Sequence, residues 1–273
     1  MHPLDMEPLR VALAGVGAVG LKVAAALQEG IAGLSLAAAS AHDRPRARER
    51  LLNVGADVPV VPIEELEPYA DLLVECAPAA LLPAIARPFL AKGKVVVVLS
   101  AGALLANMDL VDLAREKGGR IIVPTGALLG LDAVVAAAEG KIQSVRMITR
   151  KPVRGLSGAP FLAENGIDIA TITAPMRIFS GSPREAAVGF PANLNVAVAL
   201  GLAGTGVDDT RLEIWADPSL ERNTHTVEVV SESASFTMSI ANVPSENPRT
   251  GRITALSVIA CLRKLRAPLQ VGT

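Results

Sequence analysis

Aromatic side chains are scarce in this chain, 3% of its residues with one Trp and one Tyr, so the core must be built from Ala, Val, Leu and Ile. That scarcity also argues against the stacked-ring surface on which single-stranded nucleic acid is bound. An excess of one charge is lacking too: 26 Lys and Arg against 27 Asp and Glu leave a formal net charge of −1. There is no basic block for a phosphate backbone, and no nucleic-acid partner is expected. The only two cysteines, Cys76 and Cys261, stand far apart in apolar runs. Their spacing fits neither a metal site nor a redox pair, so no metal is expected and both thiols should be buried and reduced. No apolar stretch reaches the roughly 18 residues of a membrane span. Met1 to Pro8 lacks the basic-then-apolar order of a signal peptide, which makes a cytoplasmic protein without membrane partners the expectation.

What is present begins with Arg10-Val-Ala-Leu-Ala-Gly-Val-Gly-Ala-Val-Gly20. An apolar strand, then Gly15, Gly17 and Gly20 in G-x-G-x-x-G spacing, then an Ala-rich helix, is the dinucleotide-binding arrangement. Gly15 permits the turn, Gly17 lets backbone approach a pyrophosphate, and Gly20 allows the helix to pack on the strand. The first-turn amides, at Ala18, Val19 and Gly20, then point at the phosphates with the positive end of the helix dipole behind them. Leu34 to Ala39 reads as the second strand of a β-α-β unit. At its end, where an acid would hydrogen-bond the adenosine ribose of NAD, stands Ser40-Ala-His-Asp-Arg44. Asp43 suits a ribose diol, Ser40, His42 and Arg44 suit a 2′-phosphate, and all four also suit a solvated loop.

Strands and helices go on alternating. Strands are expected at Val58–Val61, Asp71–Ala77, Gly93–Ser100 and Arg120–Pro124, and helices at Pro45–Leu52, Leu81–Lys92 (broken or shifted by its prolines) and Asp109–Lys117. Cys76, Ala77 and Pro78 follow a strand at its carboxyl end, where ligands lie in an open parallel sheet, and should line the cofactor cleft. Ser100-Ala101-Gly-Ala103 is a small-residue turn suited to a flat ligand. From Thr125 the pattern changes to strands at 143–150, 171–180, 211–216, 225–230 and 235–241 without evident helices between most of them, which predicts an antiparallel sheet. The expected organisation is a dinucleotide-binding domain over 1–124 and an α+β substrate and dimerisation domain over 125–249. A last helix within 250–273 should pack back on the first domain.

A dinucleotide fold does not name a reaction, so the second half must. Hydride transfer from an alcohol or amine also moves a proton near neutrality, and imidazole has the matching pKa. His2 is terminal and His42 lies in the ribose region, which singles out His225 at the mouth of a strand. Its bland alternative is a half-exposed histidine. Asn193 and Asn195 open an apolar helix and are either turn and cap residues or contacts to nicotinamide or substrate. Lys151 and Arg154 are cations just past a strand end, as a dicarboxylate requires, whereas Arg150 reads as solvated. Thr250 is equally a helix cap or a ligand contact.

Taken together, several stretches resemble the L-aspartate dehydrogenases, amino-acid dehydrogenases that feed NAD biosynthesis. They are the glycine loop, Leu73-Val-Glu-Cys-Ala77, Leu99-Ser-Ala-Gly-Ala-Leu104, Gly126-Ala-Leu-Leu-Gly-Leu-Asp132, Arg150-Lys-Pro152, Phe190-Pro-Ala-Asn-Leu-Asn-Val-Ala197, Leu202-Ala-Gly204, Ala216-Asp-Pro218, Asn223-Thr-His225 and Asn247-Pro-Arg-Thr250. The resemblance implies a Rossmann domain, a second α+β domain on a largely antiparallel sheet, and a homodimer. It also implies His225 as catalytic acid/base and nicotinamide contacts at Ala127 and Asn195. The reaction implied is oxidative deamination of L-aspartate with NAD or NADP, giving iminoaspartate, then oxaloacetate and ammonia. Lys151 as a carboxylate cation and Asn193 as a substrate contact are added from the residues themselves. The alternatives are a related dehydrogenase with another dicarboxylate substrate, and a dinucleotide sensor without turnover.

Overall fold

The structure is a computed structural model, which describes residues 7–190, 194–244 and 251–273. The chain forms two compact units, one of residues up to Gly126 with Thr254–Gln270, the other of Ala127–Ile253 with Val271–Thr273. Among the described residues no helix is long and apolar enough to cross a membrane.

The first unit runs β1 (Leu9–Ala14), α1 (Ala18–Gly30), β2 (Leu34–Ser40), α2 (Arg44–Leu52), β3 (Leu72–Glu75), α3 (Leu82–Leu90), β4 (Val95–Val98), α4 (Ala101–Leu104), α5 (Asp109–Lys117) and β5 (Arg120–Ile122). Its strands form one parallel sheet in the order β2-β1-β3-β4-β5. Both faces are covered, so the strands are apolar throughout: Val11 to Ala14, Leu72 to Val74 and Val96 to Val98 are all fully buried. The chain leaves β1 toward β2 on one side and returns to β3 on the other. That reversal opens a crevice at the carboxyl ends of β1, β2 and β3.

The strand expected at Val58–Val61 is reduced to a single parallel bridge between Val60 and Ala39, because Pro59 and Pro62 bracket it and cannot donate to a ladder. The expected turn at Ser100 is the one-turn helix α4. In α3, Pro83 occupies the first turn, where no donor is needed, and the helix passes Pro88 only as far as Leu90.

The second unit contains α6 (Leu131–Ala138), β6 (Ile142–Lys151), α7 (Pro160–Glu164), β7 (Met176–Gly181), α8 (Pro183–Gly189), α9 (Asn195–Ala203), β8 (Arg211–Ala216), β9 (Thr224–Ser231) and β10 (Ser235–Ala241). The sheet order is β10-β9-β6-β8-β7, antiparallel except where β6 and β8 run parallel. Short helices α7 and α8 interrupt what the sequence suggested was a plainer succession of strands. They are too short to show a 3.6-residue period, yet α8 carries a legible signal: Ser182 and Glu185 form a reciprocal capping box. The strand expected from Thr171 starts only at Met176, since Ile169–Thr171 is a single 3-10 turn capped by the Asp168 side chain.

Strand alternation gives this sheet two unlike faces. Val145, Met147, Leu212, Ile214, Val227 and Val229 share the buried face. Gly204, closing α9, fits between Val134 of α6 and Val145 of β6, where a Cβ would lie 3.2 and 3.3 Å from their methyl groups. The opposite face carries a charged cluster. Arg146 donates to Glu213 at 2.8 Å and to Glu228 at 3.0 Å, Trp215 Nε1 donates to Glu213 at 3.0 Å, and Arg150 lies 4.7 Å over the indole. Arg150, expected to be solvated, is thus held by Trp215 and by Asp217 at 3.7 Å.

The last helix, α10 (Arg252–Arg266), returns to the first unit. Val258 and Leu262, one turn apart on one face, are fully buried in the same core as Val11, Leu13, Val23 and Leu27.

Candidate active site

In the first unit the glycine loop is built by contacts that a side chain would destroy. Gly15 has φ +106°, donates its N–H to the Ser40 carbonyl at 2.8 Å, and leaves so little room that a Cβ would stand 2.5 Å from the Cys76 carbonyl oxygen. A Cβ on Gly20 would overlap the Gly15 carbonyl oxygen. Gly17 is different: a Cβ there would meet nothing within 4 Å. Gly17 is also the N-cap of α1, which has no side-chain cap and no acidic residue in its first turn. The helix therefore opens with no side chain satisfying its first amides, beside space at Gly17, as a bound phosphate requires.

The crevice here is a cavity of about 820 Å³. Gly15, Gly17, Ser40, Asp43, Arg44, Cys76 and Ala77 line it, together with His42. Ala18, Val19 and Gly20 form the adjoining helix turn without lining it. Ser100 and Ala101 do not line it either: Ser100 is buried and bonded to Glu75, and Ala101 is 1% exposed. Residues missed from the sequence are Arg46 and Arg50, which join the wall from α2, Glu64, and the buried Glu75. Arg50 donates to the Val16 carbonyl at 2.8 Å and so ties α2 to the glycine loop. Glu75 accepts from Ser100 N at 2.9 Å, Ser100 Oγ at 3.0 Å and Leu99 N at 3.1 Å, joining the ends of β3 and β4. Burial pushes its carboxyl above the usual range, against those donors. Asp43 caps α2, its Oδ1 accepting from Arg46 N at 3.1 Å. Cys76 and Cys261 are half-buried rather than fully buried, and burial raises both thiols.

In the second unit Thr149, Lys151 and His225 bring polar groups together on the apolar face of the sheet. Thr149 and Lys151 are two apart on β6 and therefore point the same way, and Thr149 pairs in register with His225 of β9. All three are buried, with 4% exposure each. Thr149 Oγ1 and His225 Nδ1 are 3.1 Å apart. Burial, then the Lys151 charge, pulls His225 down to about 3, and burial pulls Lys151 down to about 8. His225 is the second residue of β9, at the mouth of the strand as expected, and it is buried rather than half-exposed as the bland alternative had it. Lys151 likewise is not past the strand but its last residue, paired with Ala216.

Arg154 is not in this cluster. It lines a separate groove of about 640 Å³ with Pro152, Ile169, Pro218, Arg222 and Pro244. Ala127 is half-buried, and its carbonyl accepts from Asn242 Nδ2 at 2.9 Å. Asn242, which the sequence did not flag, also donates its backbone N–H to the Asn223 carbonyl at 2.8 Å, so it links the Ala127 turn to the start of the His225 strand. Asn195 is the exposed first residue of α9, whose N-cap is Leu194 rather than an asparagine. Asn193 and Thr250 lie outside the described residues.

A doubly wound parallel sheet with a glycine loop and an uncapped helix at its switch point defines a dinucleotide-binding unit of the dehydrogenase class. Residues 15–124 match the model described as homoserine dehydrogenase, NAD binding domain, and residues 132–265 match aspartate dehydrogenase, C-terminal. The chain is 58% identical over 265 residues to an L-aspartate dehydrogenase of Bradyrhizobium diazoefficiens, covering 97% of this chain and 94% of that protein. It is 57% identical over 268 residues to L-aspartate dehydrogenase 3 of Bordetella bronchiseptica, covering 98% of each. The chain belongs to the L-aspartate dehydrogenase family. Its fold is shared with the crystal structure of aspartate dehydrogenase from Thermotoga maritima at TM-score 0.72, with 22% identity over 97% of this chain and 99% of that one.

Proposed function

We propose that the protein catalyses the NAD(P)-dependent oxidative deamination of L-aspartate to iminoaspartate, hydrolysed to oxaloacetate and ammonia, or the reverse reductive amination. The observation that carries this reading is the burial of Lys151 and His225 on one face of β6 and β9 in a chain of this family. The nicotinamide, when bound, supplies the acceptor for the hydride leaving Cα. The chain's own groups do the rest. With Nδ1–H donated to Thr149 Oγ1, the His225 ring keeps the Nε2 lone pair to take a proton from the substrate ammonium or from water. Lys151 is the cation for a substrate carboxylate. A dicarboxylate bound beside these two groups adds negative charge that offsets the Lys151 contribution, the smaller of the two causes that depress His225, and so shifts the imidazole upward when substrate is present. Ala127 and Asn195 are the proposed nicotinamide contacts, and Asn193 is kept with the substrate. We also propose the homodimer that the family resemblance implies.

The test is a panel of amino acids with NAD⁺ and NADP⁺, read by absorbance of the reduced nicotinamide. L-Aspartate alone should give turnover, and His225→Ala should lose about 10²- to 10⁴-fold in kcat while still binding the dinucleotide. Native turnover of a different amino acid, or none at all, refutes the substrate; full activity in His225→Ala refutes the role of the histidine.

A further inference from the structure

The wall of the dinucleotide cavity is rich in arginine beyond the end of β2. Where an acid would meet the ribose diol, at the end of β2, stands Ser40, 2% exposed, its carbonyl engaged by Gly15 N. The next carboxylate, Asp43, is engaged in capping α2 through Arg46 N. The helix it caps has the sequence Arg-Pro-Arg-Ala-Arg-Glu-Arg-Leu-Leu, and three of those arginines line the cavity. Arg50 is tied to the Val16 carbonyl, but Arg44 and Arg46 are exposed on the rim, and among the described residues neither side chain has a carboxylate partner. His42 stands beside them. One further carboxylate, the exposed Glu64, also lines the cavity. Arg48, on the same helix, does not line it and pairs instead with Asp57 at 3.4 Å.

We propose that His42, Arg44 and Arg46 form a 2′-phosphate subsite, so that this cavity takes NADP(H) in preference to NAD(H). The proposal rests on the dinucleotide reading of the cavity and adds the specificity of its adenosine end. A phosphate monoester carries nearly two negative charges at neutral pH, and guanidinium groups recognise it through paired charge-assisted hydrogen bonds. The start of α2 adds the positive end of a helix dipole on the same side. A ribose diol gives these groups no anion to meet.

Isothermal titration with 2′,5′-ADP and 5′-ADP tests this without turnover. The native protein should bind 2′,5′-ADP about tenfold more tightly than 5′-ADP at low salt, with the ratio shrinking as salt is raised. Arg44→Ala and Arg46→Ala should each reduce that ratio, and Arg48→Ala should keep it. Equal affinity of the native protein for the two nucleotides overturns the subsite and leaves the dinucleotide reading standing, whereas binding of neither overturns both. An equal loss in Arg48→Ala overturns local recognition in favour of diffuse helix charge.

Discussion

At the residue scale, the chemistry proposed for this chain rests on Thr149, Lys151 and His225, polar side chains that strand alternation places among apolar ones. His225 was identifiable as a residue type, because only three histidines exist and two lie in unsuitable places. Its burial was not identifiable, since a strand end is exposed or covered according to what packs on it from distant sequence. The same holds for Lys151, whose position inside β6 is set by pairing with Ala216, and for Asn242, whose partners Ala127 and Asn223 are remote from it. The burial of His225 carries a pH signature. In the unfolded chain the ring protonates near its ordinary 6.5, in the native protein only at about 3, so between these values the unfolded state binds the extra proton. Stability should fall as pH drops from about 6.5 toward 3, by an amount on the order of a few kcal/mol from this group. His225→Asn should flatten that segment of the urea-midpoint profile. An unchanged slope would show that other groups control the acid limb.

At the scale of elements, the β1–loop–α1 unit was legible because its determinants are local: an apolar strand, three spaced glycines and an Ala-rich helix within some twenty residues. Each glycine answers a different constraint, and substitution should separate them. Gly17→Ala places its methyl in open space at φ −80°, so its melting temperature should match the native protein while dinucleotide affinity drops by about tenfold or more. Gly15→Ala combines a left-handed backbone with a clash on the Cys76 carbonyl and should lose about 2 kcal/mol or more of stability before any ligand is added. Thermal scans with and without dinucleotide distinguish the two. The ribose-end segment was less legible, because Asp43 serves equally as sugar contact and helix cap from sequence alone. The structure shows it capping α2.

At the scale of the whole molecule, the alternation of strand and helix in the first half and its loss in the second foretold a parallel sheet followed by a mostly antiparallel one. The parallel pairing of β6 with β8 was hidden, because it depends on a long excursion through α7, β7, α8 and α9. The scarcity of aromatics has an optical consequence. Trp215, the one indole, sits in the second unit between Glu213 and Arg150, while the one tyrosine, Tyr69, sits in the first. Each unit thus carries its own fluorophore, and neither needs a label. Trp emission in denaturant reports the second unit, and a Trp215→Phe variant lets Tyr69 report the first. Adding dinucleotide should raise the Tyr69 midpoint, because the ligand binds the folded first unit. If Trp215 moves by the same amount in the native protein, the two units unfold as one; if it stays, they unfold separately.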